Sequence, residues 1–420
     1  MRVVIVGAGL AGLACAKVLQ NQAGSRIHLQ VFEQQDQVGG RVQTDGVQGF
    51  RLDRGFQVLF TAYPAVQQLL HLPSLQPCAY RPGAVLVKAG RHYLLGDPLR
   101  DRESVLPSLF NPLATLTDKL RVLRLRWQLR GLTYDQILAQ PEQTTADYLQ
   151  AYGFSDAIIR HFFRPFYRGI LLDPDLSTSS HLFCYYFQML SQGAIITPAL
   201  GMGAISQHLA QSLPPGSLTL GTSVKALWRS EDRVQGVELL NGERIPADWV
   251  VWATDAPSLH KLLQIPAPTT PRSVTTLYFT APAPITRGAY IHLNANPSGL
   301  INHCMELTQV SPQLAPPGQH LLSVNVIGDP PLADADLIAA CQQELRQHWF
   351  PQAALTFLKL YRIPFAQFAQ PVGIQAHLVR QIQPHPGLVL AGEYTQQSSI
   401  QGSLSSGAQA AQAILTLHHP

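Results

Sequence analysis

The residues best placed to do chemistry come early in the chain. Gly7-Ala8-Gly9-Leu10-Ala11-Gly12 separates an apolar, β-branched run, Val3-Val4-Ile5-Val6, from a stretch of helical composition, Leu13 to Leu19. In such a turn the first glycine permits the tight reversal, the second lets backbone approach a pyrophosphate, and the third lets helix pack on strand. The helix start then offers free N–H groups and a positive dipole end to phosphate. A chance glycine-rich turn would not bring the rest of the pattern. A second strand, Ile27-His28-Leu29-Gln30-Val31-Phe32, ends in Glu33, about 20 residues past the last glycine, where a carboxylate can accept hydrogen bonds from ribose hydroxyls. The chemistry is dinucleotide binding, and NAD and FAD meet it equally.

The next segments carry a family resemblance. Gln37-Val38-Gly39-Gly40-Arg41-Val42 follows Glu33, then Asp53-Arg54-Gly55-Phe56-Gln57. Near the other end stand Gly387-Leu388-Val389-Leu390-Ala391-Gly392-Glu393-Tyr394-Thr395 and Ile400-Gln401-Gly402-Ser403-Leu404. Together they resemble the flavin amine oxidase superfamily, which includes phytoene desaturases and protoporphyrinogen oxidases. The resemblance implies FAD, with Gly39 and Gly40 against it and Arg41 at its phosphates, a role suited to a two-pronged guanidinium. It implies that Gly55 passes close to the isoalloxazine ring and that the backbone of Val224 meets the adenine. Glu393, after Gly392, would bind the ribityl and phosphate region, and the helix starting near Gly402 would point at the flavin, its N-terminus stabilising negative charge. Each has a plain alternative: a surface arginine for Arg41, a core valine for Val224, a helix-proximal surface acid for Glu393. The Gly-Glu-Tyr-Thr-Gln-Gln run is closer to the carotenoid desaturase form of the motif than to that of monoamine oxidases. No cysteine lies in this segment, so the FAD is expected to be non-covalent.

The elements that must position these residues follow. The fold class is α/β: a Rossmann-like FAD-binding domain of the amine oxidase type with an interleaved α+β substrate domain. The FAD-binding domain takes residues 1–60, 198–257 and 370–420, and the substrate domain residues 61–197 and 258–369. Pro198 to Ile205 resembles the family's return to the FAD domain, with a helix through about Leu213, a strand at Ser217 to Val224, and a closing strand at Trp249 to Thr254. Residues 61–197 read as helical. Strands are expected at Val274 to Phe279 and Leu321 to Ile327, and a helix at Asp334 to Trp349, with proline-rich loops between. Thr117-Asp118 can cap a helix running to Gly131, on which Lys119, Arg121, Arg124, Arg126 and Arg130 alternate with two apolar stripes, although residues 123–130 also alternate with strand period. That helix is either packed with solvated arginines or a basic rim on anionic lipid through which an apolar substrate enters. The aromatics of His161 to Gly169 and His181 to Phe187 are either core or the lining of an apolar cavity.

Bulk composition closes off other classes. The 420 residues are 46% hydrophobic and 13% charged, with a net charge of +4. That balance opposes disorder and opposes the basic surface of a nucleic-acid binder. The five dispersed cysteines have no zinc spacing and read as reduced thiols, an expectation of a cytoplasmic protein. Glycines interrupt the apolar N-terminus where a signal peptide needs continuity, and no apolar run approaches the ~20 residues that span a bilayer.

Many amine oxidases of the superfamily place a lysine near the flavin on the strands of the substrate half, yet no lysine occurs between Lys261 and Lys359. No convincing acid–base pair appears elsewhere, so no catalytic side chain is assigned. The leading expectation is an FAD-dependent desaturase or dehydrogenase of a large apolar molecule, isoprenoid or carotenoid-like, with peripheral membrane contact. The alternatives are an amine or amino-acid oxidase, and a flavin protein that binds lipid without turning it over.

Overall fold

The structure, a computed structural model, describes residues 1–97 and 99–417. The N-terminal segment folds as β1 (Arg2–Val6), α1 (Leu10–Ala23) and β2 (His28–Phe32). A hairpin, β3 (Gly83–Lys88) and β4 (Arg91–Gly96), precedes helices α2 (Val105–Leu109), α3 (Leu116–Leu129), α4 (Arg164–Leu171) and α5 (Ser180–Gln192). Then come β5 (Leu218–Thr219), β6 (Trp249–Trp252), β7 (Pro271–Ala281), β8 (Ile291–Asn294), β9 (His303–Glu306), β10 (His320–Ile327) and β11 (Thr356–Phe368). The chain closes with β12 (Leu388–Leu390) and α6 (Ile400–Leu417).

Two sheets organise these elements. The first is parallel, in the order β5-β2-β1-β6-β12. Its central strands are short, β-branched and buried on both faces, as parallel strands under helices must be. Val3, Val4, Ile5, Val250, Val251 and Trp252 have essentially no exposed surface. Strands from both ends of the chain therefore lie side by side. The helices that follow them also meet: α1 packs on α6 so closely that a Cβ at Gly407 would lie 2.1 Å from the Ala11 carbonyl oxygen. The second sheet, in the order β11-β7-β10-β9-β8-β3-β4, is antiparallel except where β8 pairs parallel with β3.

Several elements differ from their sequence reading for physical reasons. Within 61–197, β3 and β4 are strands; Ala89 and Gly90 both have positive φ (49° and 72°), the geometry that a two-residue hairpin needs. Ser217 to Val224 is not one strand. After Thr219 the chain turns at Gly221, whose N–H donates to the Gln35 carbonyl, and Val224 opens a separate three-stranded antiparallel sheet. The cap of α3 is Thr115, not Thr117-Asp118: Asp118 is the reciprocal partner in a capping box and is fully buried. The helix from Asp334 is α-helical to Glu344 and continues as one π-helical turn, Leu345–Trp349. The helix after Pro198 to Ile205 ends at Gln211.

Candidate functional site

One large cavity, about 1110 Å³, runs from the C-terminal ends of the parallel strands into the space beside the antiparallel sheet. Ten of the twelve residues singled out in the sequence line it: Gly7, Gly9, Glu33, Gly39, Gly40, Arg41, Gly55, Val224, Gly392 and Glu393. Gly12 and Gly402 lie behind its wall. Gly12 serves packing, since a Cβ there would sit 2.0 Å from the Gly7 carbonyl oxygen, and one at Gly402 would sit 2.0 Å from that of Gln397. It is Ser399, Ile400 and Ser403 that bring the start of α6 to the cavity.

The turn entering α1 is shaped for something beyond the protein. A Cβ at Gly9 would meet no protein atom within 4 Å, and Gly9 caps α1 without any side chain closing its first amides. Glu33 is buried; its carboxylate accepts hydrogen bonds from the N–H groups of Ala8 (2.8 Å) and Gln35 (3.0 Å). Those bonds hold it at the end of β2 and leave its remaining lone pairs for a ligand.

Arg41 and Glu393, 352 positions apart in the chain, meet in the wall. Arg41 Nη2 approaches Glu393 Oε1 to 2.6 Å, charge against charge but with no hydrogen aligned on that oxygen. Arg41 Nη1 donates to the Ala366 carbonyl (3.0 Å), and the guanidinium lies over Phe365. Glu393 is 5% exposed and also accepts from the Ser398 hydroxyl.

FAD fits these residues. The open Gly9 turn receives a pyrophosphate, Glu33 suits a ribose, and Arg41 suits phosphate. Buried polar atoms of two residues that line the same wall have no hydrogen-bond partner among the described residues: Gln57 Oε1 and Trp252 Nε1. Buried polar groups are rarely left so, and a polar cofactor would supply partners. Gly55 has a φ of +94°, and a Cβ there would press on Ile363 Cδ1 of β11 at 2.7 Å, so glycine is required where the chain passes the cavity.

Beyond the dinucleotide end the wall is mostly apolar and aromatic. Phe56, Phe162, Phe163, Phe166, Tyr167 and Phe187 contribute to it, so the aromatics of 161–169 and 181–187 are both core and lining. One polar residue stands among them that the sequence reading passed over. His303, on β9, lines the cavity, is buried, and has no partner for Nε2. Burial pushes its pKa down to about 3, so the ring is neutral near pH 7. Its register partner Asn325, on β10, also lines the cavity and accepts from the Thr276 hydroxyl (2.8 Å). Lys359 is exposed over Tyr361, and the lysine contributing to the wall among the described residues is Lys119, far from the flavin end on α3.

The cavity also reaches an unusual surface. Leu106, Leu109, Phe110, Leu116, Leu120 and Trp127 of α2, α3 and their connection are exposed, Phe110 to 77% and Trp127 to 78%. On α3 the residues at 116, 120, 123 and 127 form one outward stripe, while Asp118, Leu125 and Leu129 face the core. Leu116, Leu120 and Leu123 of this stripe, with Leu109 of α2, also belong to the cavity wall. No helix among the described residues is long and apolar enough to cross a membrane.

Comparison with known proteins agrees with this geometry. The 15-cis-phytoene desaturase of Synechococcus elongatus is 23% identical over 99% of this chain and 96% of its own length. The phytoene dehydrogenase of Streptomyces griseus is 29% identical over 76% of this chain and 71% of its own. Among solved structures, a variant of putrescine oxidase superposes with a TM-score of 0.74 at 18% identity, covering 99% of both chains, a likeness of fold. The profile of the family described as flavin containing amine oxidoreductase matches residues 10–415; the chain belongs to that family and is an FAD-dependent oxidoreductase.

Proposed function

We propose that the protein dehydrogenates a large apolar substrate, isoprenoid or carotenoid-like, that reaches it from a lipid surface. The observation that carries this reading is the continuity of one cavity from the Gly9 turn, through an aromatic channel, to the exposed apolar face of α2 and α3. A contiguous apolar patch at a cavity mouth marks a surface meant to meet apolar partners, and an interfacial helix buries such a face among lipid chains.

In this reading residues 1–60, 198–257 and 370–420 hold the cofactor and the remainder holds the substrate. Glu33 takes the ribose, Arg41 the phosphates, the Val224 backbone the adenine, and Glu393 with the start of α6 the ribityl region. Bound FAD supplies the hydride-accepting ring. The chain's own residues hold the substrate flat among aromatic rings and keep water out. No side chain is assigned to remove a proton.

The polar inventory of the wall speaks against an amine substrate. Among the described lining residues the carboxylates are Glu33, Asp97, Asp255 and Glu393. Asp97 pairs with Arg126, Asp255 caps the helix after it, Glu33 is held by backbone N–H groups, and Glu393 faces Arg41. None is free to neutralise an ammonium in the apolar channel, where an unpaired cation is costly. The test is anaerobic absorption of the purified flavoprotein, titrated with solubilised isoprenoids and, separately, with amines. Bleaching by isoprenoids alone is expected. Bleaching by amines, with hydrogen peroxide formed in air, would move the protein to the oxidase branch.

A further inference from the structure

The apolar channel contains a hydrogen-bond donor whose direction is fixed. The Asn302 side-chain amide donates to the Pro165 carbonyl (3.0 Å), which can only accept, so its nitrogen and not its oxygen faces that way. The same nitrogen lies 3.0 Å from His303 Nδ1, so its second hydrogen points at the ring. Nδ1 is therefore the acceptor, and in a neutral imidazole the proton must sit on Nε2. Burial keeps the ring neutral, holding its pKa near 3. Packing fixes the ring as well: Phe56 stands edge-on at 5.0 Å, and α4 presses so near that a Cβ at Gly169 would lie 3.2 Å from His303 Nδ1. The outcome is a buried Nε2–H, on a residue that lines the cavity, with no acceptor among the described residues. Across the same Phe56 ring lies a second buried donor without a partner, the Tyr80 hydroxyl.

A donor left buried and unsatisfied is a persistent penalty unless a ligand removes it. We propose that His303 Nε2–H recognises an acceptor oxygen on the substrate, so that the preferred substrate is an oxygen-bearing apolar molecule and not a plain hydrocarbon. This rests on the apolar-substrate reading above and narrows it. His303 is a specificity-determining residue that cannot serve as a base through Nε2, since that nitrogen already carries its proton.

The test compares an isoprenoid aldehyde with the hydrocarbon of the same chain length, binding being followed by perturbation of the flavin absorbance of the anaerobic holoenzyme. The wild type should hold the aldehyde about tenfold tighter or more. His303→Phe, which keeps an aromatic ring but no donor, should bind the two alike while retaining hydrocarbon affinity. Nitrogen NMR of histidine-labelled wild-type holoenzyme needs no variant to fold. It should show the Nε2–H tautomer for His303, with a shift on adding aldehyde and none with hydrocarbon. Equal affinity of the wild type for both ligands, a preference surviving in His303→Phe, or the Nδ1–H tautomer would overturn the proposal while leaving the apolar-substrate reading in place. Binding of neither ligand would overturn both.

Discussion

A single ion pair ties the two ends of the chain at the cofactor cradle, and its partners differ in what they can lose. Glu393 is almost wholly buried, whereas about a third of the Arg41 side chain remains exposed. Removing the arginine strands a buried carboxylate; removing the carboxylate leaves a cation that still reaches water. Breaking a fully buried pair costs about 3–5 kcal/mol, and partial exposure of Arg41 lowers that to about 1–3 kcal/mol. Arg41→Met should therefore lower thermal stability more than Glu393→Gln does. Both variants should hold FAD about tenfold more weakly, read as flavin content after gel filtration. Equal flavin retention in wild type and Arg41→Met would remove Arg41 from the cofactor site. A second residue-scale consequence concerns acid. His292 and His303 are buried, and desolvation pushes both down to about 3 from 6.5. Their folded pKa lies below the unfolded one, so between pH 6.5 and about 3 the unfolded chain takes up protons that the native chain refuses. Stability then falls as pH falls, by up to about 1.4 kcal/mol per unit for each histidine. His292→Phe should flatten the midpoint-against-pH curve in that window, and an unchanged slope would mean that the ring is already charged in the native state.

At the scale of elements, α3 carries apolar residues on two of its faces. Its inward stripe closes the core and its outward stripe is hydrophobic yet exposed, as a contact surface is. Its cations offer less to a membrane than their spacing suggested. Arg126 is paired with Asp97, Lys119 donates to the Leu109 carbonyl, and Arg124 lies over Tyr152. Attachment through this face should thus be apolar more than electrostatic. Leu106→Ser, Phe110→Ser and Trp127→Ser combined touch exposed side chains outside the cavity wall. They should leave the melting temperature and the turnover of detergent-solubilised substrate unchanged, yet abolish sedimentation with phospholipid vesicles. Wild-type binding should survive added salt; loss of binding at high salt would return the contact to the basic residues. Two apolar stripes on this helix were legible in the sequence, but not which one faces out, because that depends on what packs beneath. The strand–turn–helix around Gly9 was legible for the opposite reason: glycines, β-branched residues and acid act through local geometry. The β3–β4 hairpin was signalled by Val85 and Val87 around Ala89-Gly90, but it sits in an otherwise helical stretch. His303 carried no periodic signal at all. Its meaning comes from Asn302, Phe56 and Gly169, and two of these three are brought beside it only by the fold.

At the scale of the whole molecule, the first and last segments of the chain line one cavity. Arg41 meets Glu393, and α1 packs on α6. The cradle's walls are thus contributed jointly by segments far apart in sequence, and buried polar atoms of Gln57 and Trp252 have no partner among the described residues. A ligand that binds the native state and not the unfolded one stabilises it by RT ln(1 + [L]/Kd), about 4 kcal/mol at a thousandfold excess over Kd. FAD should act as such a ligand on both ends together. Stripping the flavin should lower the melting temperature and open two segments to limited proteolysis in concert, residues 34–43 and 392–400. The β3–β4 hairpin and the antiparallel sheet should stay protected, since their hydrogen bonds and core do not pass through the cradle. Re-adding FAD should restore protection at both segments with one concentration dependence. Cleavage confined to one end, or a melting temperature indifferent to FAD, would mean that the two ends are held by the protein's own packing and that the cofactor only fills a site already complete.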